Sequence, residues 1–325
     1  MPTDWVENYI TAGKAVIKAK KQARKIVKPG IYYYDVANIC ENTILDSGCE
    51  LSIPILVSLN EIATDYCPLP DDRTVIPEKG LLKITFGSHS NGYIAKSALT
   101  FNLNNEIEYR HFVNATEETM RGLARNFKPG KFMYEIGEIV EKSLKRFRLN
   151  PIINLGGHEM KRFISPTGVF IPNYKNEIHS SLIMPGRVYA CIVFATDGRG
   201  TVITGEKSNI FQFVRNLKRN MSYEMLRYVD SIKKLTKQLP FSIEVIRKHK
   251  IIPDNELQKV IGYLVQRKIL NQFTVLIESS KAPVAEIADT ILVDEDGASL
   301  VITQKGMRYK DYSPQFFTEE NIKDD

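Results

Sequence analysis

Two side chains in the stretch Leu82–Phe101, LKITFGSHSNGYIAKSALTF, decide whether this chain can hold a reaction centre. Ile84, Phe86, Tyr93, Ile94, Ala98 and Phe101 give both arms strand-forming bulk and Ser88 to Gly92 is turn material, so the stretch predicts a β-hairpin. A turn at Ser90 and Asn91 sets Thr85 opposite Lys96; a turn at Asn91 and Gly92 sets Thr85 opposite Ala98. The registers differ by an even number of residues, so Thr85 and Lys96 share one face in either. That face therefore carries a hydroxyl and an ammonium. The other reactive types are dispersed. His89 sits by the turn, His111, His179 and His249 lie in polar surroundings, and His158 stands alone, readable as a hydrogen-bonded core or rim histidine ahead of a ligand for a single metal. Cys40, Cys49, Cys67 and Cys191 show neither a CxxC pair nor metal-ligand spacing, the pattern of buried reduced thiols.

The chain has 325 residues, 43% hydrophobic and 25% charged, an ordinary globular composition with room for a large core. No apolar run reaches the roughly 18 residues that span a bilayer, and the first residues lack the order of a signal peptide. A soluble protein is expected, cytoplasmic or also nuclear and nucleolar, with no membrane partner. The net charge of +6 is unevenly placed. Lys14 to Lys28 holds seven basic residues and no acid, and Glu206 to Lys268 holds fourteen basic against six acidic residues. The chain beyond Lys310 is acidic. A polyanionic partner fits this distribution.

Elements that would position these residues follow from periodicity. Val6, Tyr9, Ile10, Gly13, Val16, Ile17, Ala23 and Val27 define an amphipathic helix whose other face carries the lysines, ended by Pro29 and Gly30. A second helix is expected from Asp35, as cap, to Leu45. The same sentence recurs a hundred residues on: KPGIYYYDVANICENTI aligns with KPGKFMYEIGEIVEKSL, breaker, aromatic pair, acid and apolar spacing included. Two related halves are therefore expected at about 9–110 and 116–213. Each has two helices followed by strands: Pro54–Asn60 and the hairpin in the first, Arg187–Val193 with Phe194–Phe213 in the second. Helices at Ser222–Leu239, Ile243–His249 and Asp254–Leu270, the last capped by Asp254, form a basic insertion at about 214–272. Final strands follow at 273–304 and an extended tail at 305–325, all within a single α/β (α+β) domain.

Together the segments SIPILVSLNEIATDYCPLP, KITFGSHSNGYIAKSALTF, NLGGHEMKRF, VYACIVFATDGRG and FTVLIESSKAPVAEIADTILV resemble the type 2 methionine aminopeptidase family, the pita-bread fold with a helical insertion. The resemblance runs from about Tyr9 to Gln304. It implies a dimetal peptidase centre whose five ligand positions are Thr85, Lys96, His158, Ile192 and Ala288, of which only the histidine matches. The family histidine after SLN falls on Glu61, and the one beyond the ligand histidine falls on Pro166 or Ser165. Ile192 and Ala288 cannot offset a dication, and an ammonium at Lys96 would repel one. Neither Glu61 nor Glu286 could rebuild the centre. The resemblance thus implies a pseudo-enzyme without catalytic residues, metal or cofactor, in which Lys96 is either a structural charge partnered by Glu61 or a side chain that snorkels to solvent.

Within the fold, GYIAKSALTF, VYACIVFATDGRG and KKLTKQLPFSIEVIRK resemble the non-catalytic, proliferation-associated branch, also described as ErbB-receptor-binding proteins. That likeness implies binding to the large ribosomal subunit, its rRNA and ribosomal proteins at the tunnel exit, in translation or ribosome biogenesis. The old cleft could also meet nascent peptides. This sequence departs from the branch in lacking its long polylysine tail, so nucleolar targeting and tail-dependent RNA binding are not expectations that the resemblance supports. The candidate RNA-contacting residues are Lys218, Arg219, Arg227, Lys233, Lys234 and Lys237 on or beside one helix, then Arg247, Lys248 and Lys250. Lys234, Lys237 and Arg227 have the spacing of one helix face. The contrasting enzyme reading is an aminopeptidase with a divergent centre that removes N-terminal methionine.

Overall fold

The computed structural model describes residues 4–215, 221–237, 239–304 and 307–308. The chain opens with helices α1 (Asp4–Ile26) and α2 (Tyr33–Leu45), then short strands β1 (Glu50–Leu51), β2 (Leu56–Leu59) and β3 (Ile62–Thr64), and the hairpin β4 (Gly80–Ser90) and β5 (Tyr93–Leu103). Helices α3 (Ile107–Asn126) and α4 (Met133–Arg146) follow, with strands β6 (Asn150–Pro151), β7 (Gly156–Met160), β8 (Phe170–Pro172), β9 (Arg187–Thr196) and β10 (Val202–Phe213). Next come α5 (Tyr223–Thr236), β11 (Phe241–Ser242), α6 (Ile243–Lys248) and α7 (Asp254–Gln266). Strands β12 (Leu270–Glu278), β13 (Val284–Val293), β14 (Ser299–Val301) and β15 (Met307–Arg308) complete the described chain.

The main sheet is antiparallel and runs β1-β4-β5-β13-β9-β7-β8, with β2, β6, β14 and β15 attached at its margins. Strand alternation gives it two unlike faces. Ile84, Phe86, Ala95 and Leu99 pack under α1 and α2, whereas Tyr189, Cys191, Val193, Ile287 and Ile291 pack under α3 and α4. The residues between them in sequence occupy the opposite, helix-free face. β10 does not join β9. It belongs to a second sheet, β11-β10-β12-β3, so the insertion carries strands as well as helices and has its own apolar cluster around Phe211, Ile232, Phe241 and Leu264.

The repeat extends to individual hydrogen bonds. Gly30 and Gly130 both take a left-handed backbone, φ 84° and 83°, which a residue without Cβ adopts at little cost. Gly30 N donates to Ile76 O and Gly130 N to Ile183 O; Tyr33 N donates to Thr74 O and Met133 N to Ser181 O. The second half adds a one-sided cap, in which Glu135 Oε2 accepts from Phe132 N at 2.7 Å.

Several boundaries differ from the sequence expectation. α2 starts at Tyr33, after an extended Tyr32, which puts Asp35 inside the first turn and leaves it no capping role. Asp254 likewise is the first helical residue, after Pro253. α5 ends at Thr236 because Lys237 turns left-handed, φ 55°. Lys20, expected with the exposed lysines, is buried. All four cysteines are free and buried. No described helix is long and apolar enough to cross a membrane. Lys218, Arg219 and, apart from β15, the expected tail at 305–325 lie outside the described residues.

Candidate functional site

The hairpin turns at Asn91 and Gly92, φ 52° and 88°, the left-handed pair of a two-residue turn that matches strand twist. Ser90 pairs with Tyr93, so Thr85 lies opposite Ala98 and Lys96 opposite Gly87. From there the register crosses the sheet: Ala98 pairs with Ala288, and Ala288 with Ile192. One row on the helix-free face therefore reads Thr85, Ala98, Ala288, Ile192. The next reads Lys96, Thr290, Ala190, His158, since Thr290 pairs with Ala190 and Ala190 with His158. Thr290 Oγ1 donates to Lys96 O at 2.7 Å and accepts from Lys96 N at 2.8 Å, locking β5 to β13. All five positions singled out in the sequence thus share one face in adjacent rows.

A third row supplies groups that sequence patterning missed. Lys83 lies two positions before Thr85, and Thr100 is bonded through its hydroxyl to Glu286 N and O. Lys83 and Glu286 are almost completely buried, 1% and 2% exposed. Lys83 Nζ donates to Asn60 O and Val284 O, both at 2.9 Å. Burial pushes its amine down to about 7, against the attraction of Glu286 and Glu61. Thr85 Oγ1 donates to Glu286 Oε2 at 3.1 Å. Burial pushes the Glu286 carboxyl up to about 8 despite that bond and the nearby amines Lys83 and Lys96. The one sequence signal was parity: Lys83, Thr85 and Gly87 alternate onto one face.

Lys96 has neither of the environments expected for it. It is 9% exposed, so it does not snorkel, and its electrostatic partners are Asp65 and Glu286, whereas Glu61 acts on Lys83. Burial pushes the Lys96 amine down to about 8. Asp65, in a left-handed turn after β3, is pushed up to about 6 by burial, against the pull of Lys96. Burial, then Lys96, hold the His158 ring well below its usual value, so it is neutral. Its Nε2 lies 2.9 Å from Ser165 Oγ.

The dimetal centre implied by the resemblance does not fit this donor set. Two divalent ions need several anionic oxygens. The face provides Glu286 and Asp65, both disfavoured as anions, beside two amines. Among the described residues no group of three or more His, Cys, Asp or Glu could hold a metal ion. What the arrangement does chemically is hold carboxyl groups and amines against one another in a protein interior, where each offsets the other's desolvation.

The basic insertion is less uniform than its sequence. Arg227, Lys234, Lys237 and Lys250 are exposed. Lys237 is off the helix, so it does not continue the face of Arg227 and Lys234. Lys233 is half-buried, its Nζ 5.2 Å from the centroid of the Phe213 ring. Arg247 pairs with Glu244 at 2.6 Å and Asp254 at 3.5 Å, and Lys248 with Glu41 at 3.6 Å.

A helix-backed antiparallel sheet whose helix-free face converges polar groups is the pita-bread architecture, and the chain belongs to metallopeptidase family M24, whose model matches residues 7–215. Its relatives include the methionine aminopeptidases of Thermococcus onnurineus, 32% identical over 90% of this chain and 97% of theirs, and of Methanocaldococcus jannaschii, 32% identical over 92% and 99%. Among solved structures, a thermophilic Arx1 superimposes with TM-score 0.81 at 17% identity, covering 99% of this chain and 97% of its own. The methionine aminopeptidase of Thermotoga maritima superimposes with TM-score 0.67 at 16% identity, covering 94% and 98%.

Proposed function

We propose that the chain is a catalytically inactive methionine aminopeptidase-like protein that binds the large ribosomal subunit, touching rRNA and ribosomal proteins near the nascent-chain exit. The observation that carries this reading is the face itself, where Thr85, Lys96, Ile192 and Ala288 stand at four of five ligand positions and the remaining carboxyls are offset by Lys83 and Lys96. Binding then falls to the surface, and the insertion's basic excess suits phosphate contacts that ignore base sequence. Its exposed cations include Arg227, Lys234, Lys237 and Lys250, and we place Lys218 and Arg219 beside them in this role. The support for a ribosomal partner is the resemblance of the hairpin, the VYACIVFATDGRG strand and the insertion to the non-catalytic branch.

The test joins two measurements. Protein purified without chelator is expected to carry less than one equivalent of Co, Mn, Zn or Fe; two stoichiometric ions would refute the inactive centre. Wild type is expected to co-sediment with large subunits in a salt-sensitive way, and Arg227→Glu/Lys234→Glu/Lys237→Glu to lose this. Unchanged co-sedimentation of the variant refutes this face.

The names of the archaeal relatives favour a second reading, an aminopeptidase with a divergent centre. It requires release of methionine from a short peptide, lost in Glu61→Gln, where the first reading expects no release.

A further inference from the structure

The seven basic residues between Lys14 and Lys28 separate into two sets once α1 is folded. Lys20 is buried: its Nζ donates to Ser97 Oγ at 2.9 Å and Thr303 O at 3.3 Å, and lies 3.4 Å from Asp289 Oδ1. Arg24 is half-buried and attracted by Glu117. The other five, Lys14, Lys18, Lys21, Lys25 and Lys28, are all exposed. Steps of four, three and four residues hold the first four on one side of α1, and Lys28 follows two residues past the last helical residue, Ile26. The first four span about 16 Å of helix axis at 1.5 Å per residue. Among the described residues no carboxylate comes within 4 Å of any of the five.

Stability does not account for such a row. Like charges three and four residues apart oppose helix formation. A solvated helix face ordinarily relieves this with acids, as α4 does by pairing Glu138 with Lys142 at 2.6 Å. On α1 four successive lysines, Lys14, Lys18, Lys21 and Lys25, are left without one. The buried side of the helix is fully engaged by the core, through Ala12, Val16, Ala19 and Ala23.

We infer that the exposed side of α1 is a binding rail for the phosphate backbone of folded RNA. Lysines are point charges that suit phosphates without demanding a fixed fork geometry. A protein partner would need apolar anchors, and a membrane surface would need residues that insert. None of the exposed large hydrophobic side chains lies on α1. The rail is separate from the insertion and adds a second contact surface to the proposed ribosome binding. It rests on that reading only for the choice of RNA as the polyanion.

The test uses the whole protein and a 24-base-pair RNA duplex, with affinity measured by fluorescence anisotropy from about 50 to 200 mM salt. Lys14→Gln/Lys18→Gln/Lys21→Gln/Lys25→Gln is expected to bind at least tenfold more weakly at 100 mM salt. Its log–log salt slope should fall by about three, near one per lost phosphate contact. A far-UV circular dichroism melt matching wild type confirms folding. Should the quadruple variant unfold, the pairs Lys14→Gln/Lys18→Gln and Lys21→Gln/Lys25→Gln each carry half the effect. Unchanged affinity and slope overturn the rail. Capture by phosphatidylserine vesicles or polyglutamate that depends on the same lysines, without an effect on RNA, overturns the choice of RNA. A rail that holds on duplex while large subunits fail to co-sediment leaves it standing and refutes the ribosomal reading.

Discussion

Replacing Glu286 by Gln removes the group on which the polar face depends most for its pH behaviour. In the folded chain its carboxyl is pushed up to about 8, from an ordinary value of 4.5. Between those values the folded protein holds a proton that the unfolded chain has released, so this group's contribution to stability falls as pH rises. Each pH unit inside the window is worth about 1.4 kcal/mol, and the whole shift at most about 5 kcal/mol. The amines oppose it only at higher pH: Lys83 and Lys96, pushed down to about 7 and 8, restore stability as pH climbs from there towards 10.5. The clean interval is therefore pH 5 to 7. Asp65, pushed up to about 6, titrates there too, but it is common to both proteins and drops out of the difference. Urea unfolding of wild type and Glu286→Gln at pH 5, 6 and 7 should show wild type losing about 3 kcal/mol relative to the variant. Parallel stability curves would refute the assignment of a buried, proton-holding carboxyl.

Other outcomes follow from particular contacts. Lys20→Met leaves the Asp289 carboxylate in the core without its ammonium and should destabilise by about 3–5 kcal/mol, whereas Lys20→Met/Asp289→Asn should recover part of that in thermal melts. Gly30→Ala and Gly130→Ala meet no atom within 4 Å but keep a left-handed backbone, so each should cost about 1–2 kcal/mol, and by nearly the same amount. Gly13→Ala instead drives a Cβ into the backbone carbonyl of Ile302 and should lower the midpoint further than either.

Much of this was legible in the chain because it depends on local rules. The duplicated KPG breaker marked two helix pairs, and alternation placed Thr85 and Lys96 on one face before the register was known. The face itself was legible only through resemblance, because Ile192, Ala288 and His158 arrive from strands far apart in sequence. What escaped were the partners of buried charge. Lys83 reads as an ordinary strand lysine, and Asp65 as a turn residue; only the meeting of β3, β4 and β13 brings them towards Glu286. Lys20 escaped for a related reason. It occupies a helix position whose neighbours Ala19 and Ala23 face the core, yet in a run of lysines its charge suggested solvent. Lys237 was misplaced because helical spacing was carried one residue past the point where the backbone reverses.

The burial of Lys20 also has a mechanical consequence. Its ammonium is held at once by Ser97 on β5, by Asp289 on β13 and by the carbonyl of Thr303 beyond β14. Helix α1 is thereby pinned to two neighbouring strands of the sheet, β5 and β13, and its outward lysines sit on an anchored bar. A docking polyanion would order only side-chain torsions and no backbone, which favours a slow off-rate. Cutting the pin would loosen the bar while leaving every outward charge in place. Spacing, as distinct from charge, is what such a change would alter.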